Sequence, residues 1–202
     1  MREIIDFCNK NEGALSLLLS CIAVVISVSA IRSQTKSAVF EKRLDVYCRI
    51  EDIYCKLARI TEVCNKPGKI KRKHIINLIL FKLNSPETEI VREILDAAEK
   101  ENLDPALLFE KNVEIKELAD RYSEFCAEEM DFTFENRIAL LFKNKEAVNE
   151  AVKIFNDYES LKLGFLFYEE DELLKFLEKI QRDIDSFCCK DTLKKLKRDL
   201  PI

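Results

Sequence analysis

A single histidine, His74, stands beside the basic run Lys66, Lys69, Lys71, Arg72 and Lys73. One imidazole rules out any metal site that needs two, and leaves a Ser-His-Asp arrangement with nothing else to build on. A helical ribonuclease centre places an arginine a turn or more upstream of its histidine. Here Lys69 holds that distance and Arg72 is too close. Carboxylates are abundant, at Glu128, Glu129 and Asp131 and again from Glu169 to Glu172. Neighbouring acids on a helix diverge by about 100°, however, so they do not converge on one reacting atom. Gly13, Gly68 and Gly164 lie too far apart to form a phosphate loop, and no Glu-x-x-His pair is present for a di-metal bundle. The expectation is a non-enzyme with no catalytic residue, no cofactor and no metal ligand, its acids serving as solvated faces and helix starts.

Two groups of residues remain that could bind something. The run Lys66–Lys73 and a second one, Lys190, Lys194, Lys195, Lys197 and Arg198, offer positive potential to anionic lipid or nucleic acid. A helix over 37–64 would hold the first about 40 Å from a bilayer, several times a Debye length of about 8 Å. Residues 85–131 are acidic and can balance both runs. The expectation is therefore a basic surface patch with internal pairing rather than a nucleic-acid site. The eight cysteines include no Cys-x-x-Cys pair, and Cys188 and Cys189 are adjacent. Cys48, Cys55, Cys64 and Cys126 fall within helical periodicity and read as small buried apolar residues in a reducing compartment.

The elements that would position these groups read as helices. Glycine and proline are scarce, and Leu, Glu, Lys and Ile are frequent. With a net charge of −4 and 48% hydrophobic residues, the composition is globular. From Ser37 to Cys64, the residues Val46, Ile50, Ile53, Leu57, Ile60 and Cys64 form a seam for an antiparallel neighbour or a coiled-coil partner. Phe40, Leu44, Tyr47, Tyr54 and Ala58 widen it. Asn65-Lys66-Pro67-Gly68 ends that helix, and a second is expected over Ile70–Leu83. Ser85-Pro86 and Asp104-Pro105 are cap-and-proline starts for two more, the latter breaking near Asn112. Phe132 and Phe134 open a further element, and Asn144 precedes a helix through Val148, Val152, Phe155 and Tyr158. The acids from Glu169 to Glu172 favour the start of a last amphipathic helix through Leu173, Leu177, Ile180, Ile184 and Phe187. Leu193 to Arg198 extends it or forms a basic tail. The expected fold is all-α, with one N-terminal transmembrane helix and a bundle of five to seven helices.

The membrane segment rests on Ala14–Ile31, which carries no charge. As a helix it is roughly 27 Å long, close to a hydrocarbon core of about 30 Å. Ser16, Ser20, Ala23 and Ser27 share one small-residue face that can pack against another such helix, or are simply tolerated by bonding back to helix carbonyls. Val28-Ser29-Ala30 has the small residues of a cleavage site, and Leu18-Leu19-Ser20-Cys21 resembles a lipidation box. Glu3, Asp6 and Glu12 make a poor secretory leader, and the apolar run continues beyond Cys21. An uncleaved anchor is expected, with a tail over 1–12, a span over 13–32 and a cytoplasmic domain over 33–202. Arg32, Lys36, Lys42 and Arg43 after the span place the N-terminus outside and the C-terminal domain in the cytoplasm, at a plasma or inner membrane.

Ala38-Val39-Phe40-Glu41-Lys42-Arg43-Leu44-Asp45-Val46-Tyr47, placed after such a span, resembles a group of bacterial single-pass membrane proteins. That group opens its first cytoplasmic helix with Phe-acid-basic-Arg-x-x-Val/Ile-Tyr. Arg137-Ile138-Ala139-Leu140-Leu141-Phe142 is similar to it as well, although Lys143-Asn144 stands where a Gly or an acid is more usual. The resemblance implies the architecture and no particular activity. The expected function is a membrane-tethered interaction, scaffold or sensing module that contacts the bilayer through 13–32 and binds a protein partner or itself. The alternative is a membrane effector, such as a toxin or phage-defence component, acting by oligomerisation.

Overall fold

A computed structural model describes residues 12–64, Arg72, Ile75, Ile79, 86–128 and 130–200. Among the described residues the chain is all-helical, with eight helices and no strand. These are α1 (Glu12–Cys64), α2 (Pro86–Glu101), α3 (Pro105–Lys111), α4 (Val113–Glu128), α5 (Phe134–Leu141), α6 (Lys145–Gly164), α7 (Glu170–Cys189) and α8 (Thr192–Lys197). The chain divides into two compact units, Met1–Arg43 and Leu44–Ile202.

The first unit consists, among its described residues, of the leading part of α1. Leu17, Leu19, Ile22, Val24, Val25, Ile26, Val28 and Ile31 are all exposed. At about 100° per residue they spread over roughly two-thirds of the helix surface, and the remaining side carries Ser16, Ser20, Ala23 and Ser27, all exposed as well, so no face is set aside for a core. Ser20 Oγ donates to Ser16 O at 2.8 Å and Ser27 Oγ to Ala23 O at 2.7 Å, the expected back-bonding of serines within a helix. Among the described residues no helix is long and apolar enough to cross a membrane. Of the expected 13–32 span, Ala14, Leu15 and Leu18 fall outside the described side chains, as do residues 1–11 of the expected tail.

In the second unit the expected starts that fall on described residues hold, while Ser85 and the stop over 65–68 lie outside the described residues. Asp104 caps α3, accepting from Ala106 N at 3.3 Å ahead of Pro105, and Asn144 caps α6, accepting from Ala147 N at 2.9 Å. The break at Asn112 is real, and its Oδ1 accepts from Ile115 N at 3.2 Å to start α4. Glu169 and Glu172 form a reciprocal capping box on α7. Two turns use the left-handed conformation without glycine: Asn102 (φ 52°) after α2 and Asp191 (φ 51°) between α7 and α8. Gly164 is needed for space, because a Cβ there would lie 2.4 Å from the Tyr168 ring. Of the expected helix over 70–83, Arg72, Ile75 and Ile79 are described, each helical and buried.

The core runs through Val46, Ile50, Ile53, Leu57 and Ile60 of α1, Val91 and Ile94 of α2, Tyr122 of α4, Phe134 and Ile138 of α5, and the α7 stripe from Leu173 to Phe187. The α1 seam is as expected from its spacing. Helix α2 packs on α3 and α4, α4 on α6, and α6 on α5, α7 and α8. Tyr54 of α1 stacks on Phe187 of α7 at 5.1 Å. Helix α6 buries a broad face that includes the charged Glu150, Asp157, Glu159 and Lys162, and leaves one polar stripe, Lys145, Glu146, Asn149, Lys153, Asn156 and Ser160, exposed.

Candidate functional site: a paired-arginine cluster

The basic run expected as a surface patch is not one at Arg72. Its guanidinium is buried, donates to both Asp104 oxygens at 2.9 Å and to Tyr168 O at 2.7 Å, and reaches Phe165 O as well. Burial lowers the guanidinium's pKa and the Asp104 carboxylate opposes that. Arg72 is a clamp, holding its own segment to the α2–α3 turn and to the end of α6. Lys66, Lys69, Lys71, Lys73 and His74 lie outside the described residues. The terminal cluster is partly consumed by internal pairs, Lys190 with Glu150 at 2.9 Å and Lys195 with Glu146 at 2.7 Å.

Each buried charge of α6 has a neighbour of opposite sign. Glu150 accepts from Lys153 at 3.1 Å, Lys190 at 2.9 Å and Ser186 at 2.9 Å. Burial pushes this carboxyl up, but those three donors outweigh it and hold it at about 2. A lowered carboxylate stabilises the fold above its ordinary pKa and loses that contribution as pH falls toward the folded value. Glu150→Gln is therefore expected to cost about 1–3 kcal/mol at neutral pH. The gap from the unsubstituted chain should close as pH falls from 4.5 toward about 2. Urea unfolding followed across that range reads it directly. Asp157 pairs with Lys179, which also lies 3.2 Å from Asp183. Burial raises the Asp157 carboxyl and Lys179 opposes the shift. Glu159 pairs with Lys162 at 3.0 Å. Tyr122 Oη donates to Lys162 O at 2.8 Å, and Tyr158 Oη to Ile79 O at 2.9 Å. Both phenols are thus satisfied inside the core, whereas Asp157 Oδ2 and Glu159 Oε2 are buried without a hydrogen-bond partner.

The expectation of buried cysteines is overturned at two positions, Cys48 and Cys55. Cys126 is buried, but Cys48, Cys55, Cys188 and Cys189 are exposed, and no described cysteine is in a disulfide. Cys48 and Cys55 sit on the outer side of α1, two turns apart and opposite the Val46–Ile60 seam. Tyr54 Oη lies 2.9 Å from Cys188 Sγ, and that contact, with burial, pushes the phenol up to about 12. A maleimide is expected to modify these four thiols in the folded chain within minutes and Cys126 only after unfolding. Mass spectrometry of the labelled peptides checks this.

One cluster faces outward. Asp131, in the turn before α5, accepts at Oδ1 from Thr133 Oγ1 at 2.7 Å and from Thr133 N at 3.2 Å. Its Oδ2 accepts from Arg49 Nη1 at 2.7 Å and also from Arg137 Nη2. Burial raises this carboxyl, yet Thr133 and the two guanidiniums together bring it below its ordinary value. Both guanidiniums lie over the buried Phe134 ring, Arg49 at 4.4 Å and Arg137 at 5.5 Å, and Arg49 is 5.6 Å from Phe155. The Arg49 and Arg137 side chains are 36% and 41% exposed. Arg137 Nε is buried without a hydrogen-bond partner. Reading Asp131 as one of a set of solvated acids thus misses a two-helix node. Arg49 lies on α1 and Arg137 on α5, too far apart in the chain for local spacing to link them.

Among the described residues no group of three His, Cys, Asp or Glu side chains could hold a metal ion. Ser16, Ser20, Ala23 and Ser27 are exposed and share one side of α1, since their spacing keeps them within about a 60° arc. No protein-family model matches the chain, and no curated protein or solved structure matches it either.

Proposed function

We propose that this chain is a non-enzymatic interaction module tethered to a membrane by residues 13–32, with its N-terminus outside and its helical bundle in the cytoplasm. The observation that carries the reading is the uncharged run Ala14–Ile31, whose described apolar side chains are exposed over most of the surface of that part of α1. In water such a helix leaves a large apolar surface uncovered, whereas hydrocarbon covers it without a partner face. The basic residues that follow the run support the orientation. The resemblance of the Phe40–Tyr47 segment to bacterial single-pass proteins fits the same architecture. In the bundle, polar groups are spent on internal pairs and caps rather than gathered in a reacting centre, which suits holding or sensing a partner.

Affinity purification of the full chain from native membranes tests this reading. A stoichiometric protein partner is expected to copurify, and recovery of the chain alone would remove the main support. A second reading, a membrane effector that self-associates, is favoured by the shared exposure of Ser16, Ser20, Ala23 and Ser27. Overexpression with a potential-sensitive dye separates the two. Depolarisation that depends on Ser16, Ser20 and Ser27 would replace the scaffold reading with the effector.

A further inference from the structure

We infer that Arg49 and Arg137 form a binding site for a phosphate group, with Asp131 and Phe134 holding the two guanidiniums in place. Two cations share one carboxylate oxygen there, so the cluster keeps one net positive charge. Each guanidinium carries five N–H donors in a rigid fork, and the bonds to Asp131 use one from each. Arg137 Nε is itself buried without a partner, so the donors that an anion meets are the remaining Nη hydrogens of the two forks. Stacking on Phe134 fixes both planes without using any N–H. Both side chains remain more than one-third exposed, so an anion can reach them from solvent. A phosphate suits the cluster better than a second carboxylate. Its tetrahedral oxygens can accept from forks arriving from two different helices, and its negative charge answers the one uncompensated cation.

The phosphate can belong to a soluble monoester or to a lipid headgroup. Phe132 and Leu140, 75% and 85% exposed, flank the cluster in sequence and would engage the acyl portion in the second case. The site stands whether or not the tethering proposal holds.

The experiment is Nε–Hε arginine NMR on the full chain in phosphatidylcholine nanodiscs, with the Arg137 signal assigned by its loss in Arg137→Lys. Inorganic phosphate is titrated in one arm, and phosphatidylglycerol is introduced into the nanodisc in the other. A saturable shift of the Arg137 signal is expected in at least one arm. Arg49→Lys, which keeps the charge and loses the fork, should weaken binding about tenfold, equivalent to about 1.4 kcal/mol. A response to phosphate assigns a soluble ligand, and one confined to phosphatidylglycerol assigns a headgroup. An Arg137 signal unmoved in both arms overturns the site, as does an Arg49→Lys chain that binds as tightly as the original. Because the first readout uses the unsubstituted chain, it stands even where a variant folds poorly.

Discussion

Arg72→Ala is expected to destabilise the Leu44–Ile202 unit by about 3–5 kcal/mol. Nη2 of the guanidinium donates to both Asp104 oxygens and to Tyr168 O, and Nη1 to Phe165 O, just past the end of α6. Removing it leaves those carbonyls without their donor and a part-buried carboxylate without its cation, and each such loss costs about 1–3 kcal/mol. Arg72→Lys should recover only a fraction, because one ammonium nitrogen cannot stand both where Nη1 meets Phe165 O and where Nη2 meets Asp104 and Tyr168 O. Urea unfolding followed by helical circular dichroism measures both variants. A loss below about 1 kcal/mol for Arg72→Ala would return Arg72 to the class of exposed surface pairs.

Phe134→Ala carries the second large effect, about 3–5 kcal/mol. The ring is fully buried, lies 4.4 Å from Phe155, and supports both Arg49 and Arg137. Truncation opens a cavity at the start of α5 and removes the surface that orients the two guanidiniums. Phe134→Leu keeps most of the volume and loses the aromatic face. It should therefore cost less in stability while still loosening the arginines. The same unfolding assay gives the stability term. Broadening of the Arg49 and Arg137 Nε–Hε signals in Phe134→Leu gives the positioning term. Sharp, unshifted signals in that variant would show that the ring contributes packing alone.

What could be read from the residues and what could not differ for physical reasons. Helix starts were legible because their signals are local: Asp104-Pro105, Asn144 and the acids from Glu169 each act on the first turn that follows. The α1 seam was legible because its period is that of one buried face. The width of the buried face of α6 was not, since Glu150 and Asp157 read as solvated charges until Lys190 and Lys179 arrive from elsewhere in the fold. Arg72 was misread for the same reason: in sequence it belongs to a basic run, and only the turn at Asp104 and the end of α6 make it a clamp. Cys48 and Cys55 were placed inside because cysteine is commonly buried, yet the Val46–Ile60 seam already fills that side of α1. The Arg49–Asp131–Arg137 node gave no signal because Arg49 lies 82 residues from Asp131, beyond the reach of any local pattern.

The central claim is the tether. Its most direct measurement is alkaline carbonate extraction of membranes from the cells that make the chain, combined with a membrane-impermeant maleimide. The chain is expected to stay in the membrane pellet, and Cys48, Cys55, Cys188 and Cys189 should be modified only after the cells are opened. Release of the chain into the carbonate supernatant would contradict the anchor, and modification of those thiols in intact cells would contradict its orientation.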